Sequence, residues 1–504
     1  MRTFRLLLLT CGLLVIGSIG AGCGNLVGVG SGVSCVVQAD GLPNCFGANG
    51  SGQAGHAAGT SPVAPGAVAL PAGLLAGEIS VGTGSATGQA TVCVAAARAN
   101  SSSGQVYCWG DDAAGQLGRG SAGAASAAPV KVPLGAGNST STISVGGSSA
   151  CAISGGTDYG VLCWGSQLTT AGMAITAPLL IPGTTNFRSS DGMDSSPSLL
   201  SVGRAHACAG ISSQLVCWGM GTDGQLGNGA SADSVVPVTV ALPATIDGVG
   251  ELSAGATSTC VVATDKAGAS TRRVWCWGAN DAGQLGNGTM TASNVPVAVT
   301  LPDGRDASHV GVGARHACAV ASDSTVWCWG ANESGQLGNG TTTASAVPVR
   351  VSGFQATLIG AGQDQSCASD VAGHLRCWGS NAQGQLGQVA LGASATPRQV
   401  PGIDGLRDPK QRKVVIRGTA AVGSTLRATT APWPYAAGYD YQWQRLSPKA
   451  GWIDIPKADR ATLRLAPRLA GAKVRVSVTG KNAWTAAGVV MSPSRASAAR
   501  VIVG

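Results

Sequence analysis

CWGANDAGQLGNG, residues 276–288, decides the fold of this chain, because the same string keeps returning along it. CWGDDAAGQLGRG begins at Cys108, CWGMGTDGQLGNG at Cys217, CWGANESGQLGNG at Cys328 and CWGSNAQGQLG at Cys377. Two worn copies complete the series. CFGANGSGQAG begins at Cys45 with Phe46 in the tryptophan position, and CWGSQLTTAG begins at Cys163 without the GQLG element. Successive copies start 63, 55, 54, 59, 52 and 49 residues apart, so seven repeats of about 55 residues follow one another, numbered 1 to 7 below. Self-similarity at this period marks a solenoid, a propeller or an array.

The interior of each repeat selects among these. Upstream of each second cysteine lies a strand-like run with a small residue, a glycine and a first cysteine, as in ISVGGSSAC, LLSVGRAHAC and HVGVGARHAC. A short turn, a second strand ending in CWG, the GQLGNG turn and a run such as VVPVTV or AVPVRV follow. Four β elements per repeat with no 3.6-residue apolar period describe a propeller blade, not a helical solenoid. Composition agrees: 77 glycines and only 11% charged residues suit short strands joined by tight turns. The fold class is therefore all-β, a seven-bladed propeller followed by a smaller β domain.

Residues 26 to about 402 resemble the regulator of chromosome condensation repeat family in the joint pattern of CWG, GQLG and the upstream glycine strand. That resemblance implies a seven-bladed β-propeller. Repeat 3, which lacks GQLG, and repeat 1, which lacks tryptophan, depart from the pattern.

The cysteines pair within repeats: Cys35 with Cys45, Cys93 with Cys108, Cys151 with Cys163, Cys208 with Cys217, Cys260 with Cys276, Cys318 with Cys328 and Cys367 with Cys377. The length between partners varies while the cysteines keep to the hairpin ends, as a cross-strand contact does when only the turn lengthens. Setting Cys208 opposite Cys217 pairs Ala209 with Val216 and Gly210 with Leu215. Facing residues at a non-hydrogen-bonded site lie within disulfide reach. Reduced thiols and metal are the alternatives, but zinc needs four ligands converging on one point. Trp109, Trp164, Trp218, Trp277, Trp329 and Trp378 are expected to pack neighbouring blades, with a carbohydrate-stacking ring as the alternative. Gln116, Gln225, Gln284, Gln336 and Gln385 are expected in turns and packing. His206 and His316 share one repeat position with Ser149, Ser258 and Gln365 and so are expected to be structural.

Catalytic and metal constellations are absent: three glutamates occur in the whole chain, with no GxSxG, HExxH, P-loop or EF-hand loop. No cofactor is implied. Asp111 with Asp112 and Asp191 with Asp194 are expected in solvated loops, with a calcium site as the alternative.

Arg2, Arg5 and the apolar run Leu6 to Ile19 read as an export signal over residues 1–22. Ile19-Gly20-Ala21-Gly22-Cys23 resembles a bacterial lipobox, although Gly20 stands where a branched aliphatic residue is usual. Fourteen of the cysteines form seven pairs and Cys11 lies within the signal, so Cys23 alone is spare; lipidation of Cys23 is favoured over plain secretion. Residues 23–405 form the propeller in this division and 406–504 a separate basic domain. Residues 407–504 hold 17 Lys and Arg against 4 Asp, a balance of +13, whereas 1–406 hold 15 basic and 20 acidic residues, a balance of −5. The order GTAAVGSTLRA, YDYQWQR, ATLRLAPRLAGAKVRVSVTGKN resembles bacterial immunoglobulin-like domains, which implies a β-sandwich with Trp443 buried on a strand.

These features imply a non-enzymatic, monomeric binding scaffold, exported as a lipoprotein on the cell envelope or secreted. Loops of one propeller face, notably the insertions Gly183 to Pro197 and Ala263 to Arg273, would hold a protein or glycan. The basic domain would meet an anionic envelope polymer or lipid headgroups, and no sequence-specific nucleic acid. A secreted glycan-active enzyme, with paired carboxylates at the central channel, is the alternative. Nucleotide exchange, which the family resemblance implies for eukaryotic relatives, does not suit an exported chain.

Overall fold

A computed structural model describes residues 26–501 apart from 39, 60, 83–88, 99–100, 102–103, 141, 156–158, 167–174, 186, 189–193, 196, 212, 267–270, 404–414, 430–437, 448–450, 483–489, 492–494 and 497–499. The export segment 1–22 and Cys23 lie outside the described residues. The chain divides into two compact units, residues 1–96 with 105–406 and residues 97–104 with 407–504. Among the described residues the only helical pieces are the three-residue 3-10 turns Pro302–Gly304 and Pro467–Leu469.

Each repeat folds as an antiparallel meander. In repeat 4 the strands Leu199–Val202, His206–Ile211, Gln214–Gly219 and Ser234–Thr239 pair in chain order. His206–Ile211 is buried along its whole length, because a middle strand is covered on both faces by neighbouring sheets. Ser234–Thr239 is half-exposed, as suits an outer edge, and its Pro237 cannot donate to a further strand. Cys208 faces Cys217, Ala209 faces Val216 and Gly210 faces Leu215. Five such four-stranded sheets occur, and repeats 6 and 7 share one seven-stranded sheet. There the strand Ser345–Ala361 is the outer strand of repeat 6 through Ser345 to Arg350 and the inner strand of repeat 7 through Ala356 to Ala361.

The sheets close into a ring through their inner strands, each of which contacts the next. Small residues allow this. Ser80, Ser144, Ser201 and Ser253 each accept, through Oγ, the backbone N–H of the following repeat's inner strand, at Val145, Val202, Ala254 and Val312, over 2.9 to 3.0 Å. Gly28, Gly311 and Gly360 hold the equivalent place in repeats 1, 6 and 7, where an added Cβ would press on the neighbouring strand. Two residues further on, a methyl at Gly203, Gly255 or Gly313 would collide with the carbonyl of Gly255, Gly313 or Gly362 in the next repeat. Repeat 7 meets repeat 1 in the same way. Val27, Val29 and Phe46 pack with Cys367, Cys377, Leu386 and Ile403, and Gln365 Nε2 donates to the Gly30 carbonyl at 2.7 Å. The first unit is a β-propeller.

The second unit has two antiparallel sheets. Val415–Arg417, Thr425–Thr429 and Thr462–Arg464 form one. Gly451–Asp454, Gly438–Ser447 and Lys473–Asn482 form the body of the other. Ile416, Leu426 and Leu463 from the first pack with Trp443, Val474, Val476 and Val478 from the second. Trp443 is fully buried and its indole N–H donates to the Arg460 carbonyl at 2.9 Å.

Candidate binding face of the propeller

The recurring residues hold blade to blade. The indole N–H of Trp109, Trp164, Trp277, Trp329 and Trp378 donates to the carbonyl of Gln53, Gln116, Gln225, Gln284 and Gln336 respectively, at 2.9 to 3.0 Å, and each glutamine belongs to the preceding repeat. All six tryptophans of this row are buried, so none offers a stacking surface to a sugar. The glycine after each GQL lets the ring approach: a Cβ on Gly227, Gly286 or Gly338 would run into Trp277, Trp329 or Trp378, and all three have φ near +66°.

The worn copies show the device by its defects. Repeat 3 lacks GQLG, and Trp218 of repeat 4 buries its Nε1 without a hydrogen-bond partner among the described residues. Phe46 of repeat 1 has no N–H to give, and the Gln385 carbonyl keeps the hydroxyl contact, from Ser34 at 3.0 Å, that repeats 5 and 7 make beside the indole. Trp329→Phe should therefore cost about 1 to 3 kcal/mol more than Trp218→Phe, because only the former strands a buried carbonyl. Chemical denaturation of the two variants measures the difference, and equal losses would contradict the pairing.

The cysteine partners face one another in every repeat, with α-carbons 4.0 to 4.1 Å apart and sulfurs bonded. His206 and His316 are fully buried, each with Nε2 against a hydroxyl of the next repeat, Thr259 Oγ1 at 2.8 Å and Ser366 Oγ at 2.9 Å. Those hydroxyls donate onward to the carbonyls of Gln225 and Gln336, so each Nε2 carries the proton. Nδ1 is left without a partner among the described residues, and burial pushes both imidazoles down to about 4.

One expectation fails. Asp111 and Asp112 do not lie in a solvated loop: Asp112 is fully buried, accepts the Leu117 N–H at 2.9 Å and pairs with Arg119 at 2.7 Å. It stands where repeats 5 and 6 have Asn280 and Asn332, which accept the equivalent Leu285 and Leu337 N–H. Burial raises its carboxyl above the usual range. Asp111 accepts Gln116 Nε2 at 2.7 Å. Asp191 lies outside the described residues, so its pairing with Asp194 is not described. No group of three or more His, Cys, Asp or Glu placed to hold a metal occurs among the described residues.

Meander topology sorts the connections onto two faces. Turns from first to second strand and the GQLG turns share one face; hairpins from second to third strand and the links between repeats share the other. The first is alike in the repeats that keep GQLG, fixed by glycines and by the carbonyl contacts just described. The second is variable and carries both insertions, between Leu180 and Leu199 and between Asp265 and Arg272. The longer one holds a two-stranded ribbon, Phe187–Arg188 with Asp194–Ser195, anchored by the buried Phe187.

Carboxylates brace three hairpins of the variable face. Asp323 accepts the Thr325 hydroxyl and Arg305 Nε at 3.0 Å, and the Thr325 hydroxyl holds its carboxyl below the usual range. Asp370 accepts the His374 N–H and Arg376 Nε, and Asp265 pairs with Arg273 at 3.2 Å. Arg305 also lies over the Trp327 ring, 5.6 Å from its centroid. Trp327 and its half-buried equivalent Trp275 escape sequence analysis, because only repeats 5 and 6 carry a tryptophan at that place. On the inner strands Glu78 accepts the Ile143 N–H at 3.2 Å and Glu251 lies 3.4 Å from His309, so both carboxylates there serve contacts between repeats.

Family comparison accords with this architecture. The description "Regulator of chromosome condensation (RCC1) repeat" matches residues 103–153, 214–262, 273–320 and 323–369, with a second description of the same repeat at 307–336. Those stretches of the propeller are RCC1 repeats. Among similar proteins, the ultraviolet-B receptor UVR8 of Arabidopsis thaliana is 33% identical over 158 residues, 31% of this chain and 34% of the receptor. The human E3 ubiquitin-protein ligase HERC2 is 36% identical over 138 residues, 27% of this chain and 3% of the ligase. The matched part thus spans about a third of the first relative and a small fraction of the second. Among solved structures, Prp20p of Saccharomyces cerevisiae has a TM-score of 0.56 at 17% identity, covering 74% of this chain and 87% of that one. Human WBSCR16 has a TM-score of 0.56 at 19% identity, covering 70% and 92%. Likeness at this identity establishes the RCC1-type propeller fold.

Proposed function

We propose that this protein is an exported, non-catalytic binding scaffold whose RCC1-type ring of seven blades holds a protein partner on the face opposite the GQLG turns. The observation that carries this reading is the unequal treatment of the two faces. One keeps the same turn in every repeat that retains GQLG, while the other takes the insertions, the braced hairpins and the Arg305–Trp327 pair. Arginine and tryptophan are the side chains that most often anchor protein interfaces. Among proteins of like fold, Prp20p is described as binding Gsp1p and histones, and Kap60 has been seen bound to it. Those partners belong to Prp20p.

Export is supported by the pairing of fourteen cysteines, since disulfides persist outside the reducing cytosol. In this proposal residues 1–22 are the signal, Cys23 carries lipid, residues 23–405 are the propeller and 406–504 an immunoglobulin-like sandwich. Its two sheets around Trp443 support the last assignment.

The test compares three full-length forms as bait for envelope proteins: the parent, a variant with residues 183–197 replaced by a short glycine–serine link together with Arg305→Ala, and a variant with the exposed Thr222→Ala and Glu333→Gln on the opposite face. A partner retained by the parent and the opposite-face variant but lost from the first variant is expected. Loss only from the opposite-face variant would overturn the assignment of the face.

A further inference from the structure

The outer face of the three-stranded sheet in the second unit carries a grid of arginines. Ile416, Leu426, Ala428 and Leu463 turn inward and are buried, while Arg417, Thr425, Arg427, Thr462 and Arg464 alternate with them and are exposed. Register places the charges close together. Arg417 faces Arg427 directly, which puts their α-carbons about 5 Å apart. Arg464 faces Thr425, two residues from Arg427, and is thus its diagonal neighbour at about 7 to 8 Å.

Like charges set opposite one another weaken a sheet. Among the described residues, none of these three arginines forms an ion pair. In the propeller five arginines, Arg119, Arg273, Arg305, Arg315 and Arg376, sit beside carboxylates. In the second unit Asp454 is engaged by Gln444 instead, at 2.9 Å. Three guanidinium groups on one β surface, without an ion pair among the described residues, complement an anionic ligand with groups repeated at similar intervals. Thr425 and Thr462 stand between them with hydroxyls for additional hydrogen bonds.

Two ligand classes offer repeated anions, a bilayer and a linear polymer. A surface that anchors in a bilayer adds apolar or aromatic side chains to its charge. Among the described side chains of these three strands none that is exposed is apolar, and the exposed Leu446 lies on the other sheet. We propose that the Arg417–Arg427–Arg464 face binds a linear polymer bearing phosphate groups. This deepens the expectation drawn from the basic balance of residues 407–504 and stands independently of the propeller's partner.

Binding of the full-length protein to inorganic polyphosphate, followed by fluorescence anisotropy across a salt series, tests it. Arg417→Gln, Arg427→Gln and Arg464→Gln combined should weaken binding at least about tenfold, and the slope of log K against log salt should become shallower by about 2, as expected for three lost phosphate contacts. A control variant, Arg445→Gln with Arg460→Gln and Arg468→Gln, removes the same charge from exposed positions elsewhere and should retain most of the affinity. The sheet variant should melt no lower than the parent, because the facing like charges are gone. Equal losses in the two variants would show charge without a site and overturn the proposal, as would no loss in either. Tighter, arginine-dependent binding to phosphatidylglycerol vesicles than to polyphosphate would overturn it in favour of a membrane.

Discussion

Reduction of the cysteine pairs is expected to unfold the propeller. The partners are 9 to 16 residues apart, and closing loops of this size contributes roughly 2 to 3 kcal/mol each when counted as lost chain entropy. Even half of that sum equals the whole net stability of an ordinary domain, about 5 to 15 kcal/mol. Apart from tryptophan the core is built mainly of alanine, valine and cysteine, which leaves little large apolar surface to compensate. Thermal melts with and without reductant should differ by more than about 20 °C. A reduced protein that melts with the oxidised one would show that the cysteines are only small packing residues.

Acid should weaken the ring well before carboxylates titrate. His206 and His316 lie at about 4 in the folded state and near 6.5 when unfolded. Above pH 6.5 both states are neutral and the histidines do not affect the balance. As pH falls from about 6.5 to 4, the unfolded chain takes up protons that the folded chain refuses, so stability drops by about 3 kcal/mol for each histidine. Below pH 4 the folded imidazoles protonate too and the slope ends. Urea midpoints across this range measure the effect. His206→Gln should remove about half of it, and a slope unchanged in the double variant His206→Gln, His316→Gln would assign the pH dependence to other groups. Glutamine suits the place, since Gln365 holds it in repeat 7 and bonds across to Gly30.

Much of the ring was legible because a repeat prints its geometry several times. The CWG and GQLG strings mark the third strand and the turn after it, and the variable spacing of cysteines gives the register that pairs Ala209 with Val216. Contacts between repeats were less legible. A serine or glycine at a periodic position shows only that little room exists, not that Ser201 Oγ meets the Ala254 N–H. Asp111 and Asp112 misled because charge in a loop-like string suggests solvent. The signal that could have corrected this was present, since repeat 2 replaces both asparagines of the turn, equivalent to Asn280 and Asn287, with Asp112 and Arg119. A pair exchanged together from neutral to opposite charge indicates contact. Trp327 and Arg305 stayed hidden for the opposite reason, as Trp327 recurs only as Trp275 in repeat 5 and Arg305 carries no repeat signature. In the second unit, period-two alternation shows which arginines face outward, but only the register sets Arg417 opposite Arg427.

Non-reducing peptide mapping of the mature protein recovered from its native compartment tests most directly the claim of an exported propeller with one staple in each blade. Seven linkages are expected, Cys35–Cys45, Cys93–Cys108, Cys151–Cys163, Cys208–Cys217, Cys260–Cys276, Cys318–Cys328 and Cys367–Cys377, all of them within single repeats. A linkage joining two repeats, or a majority of free thiols, would contradict it.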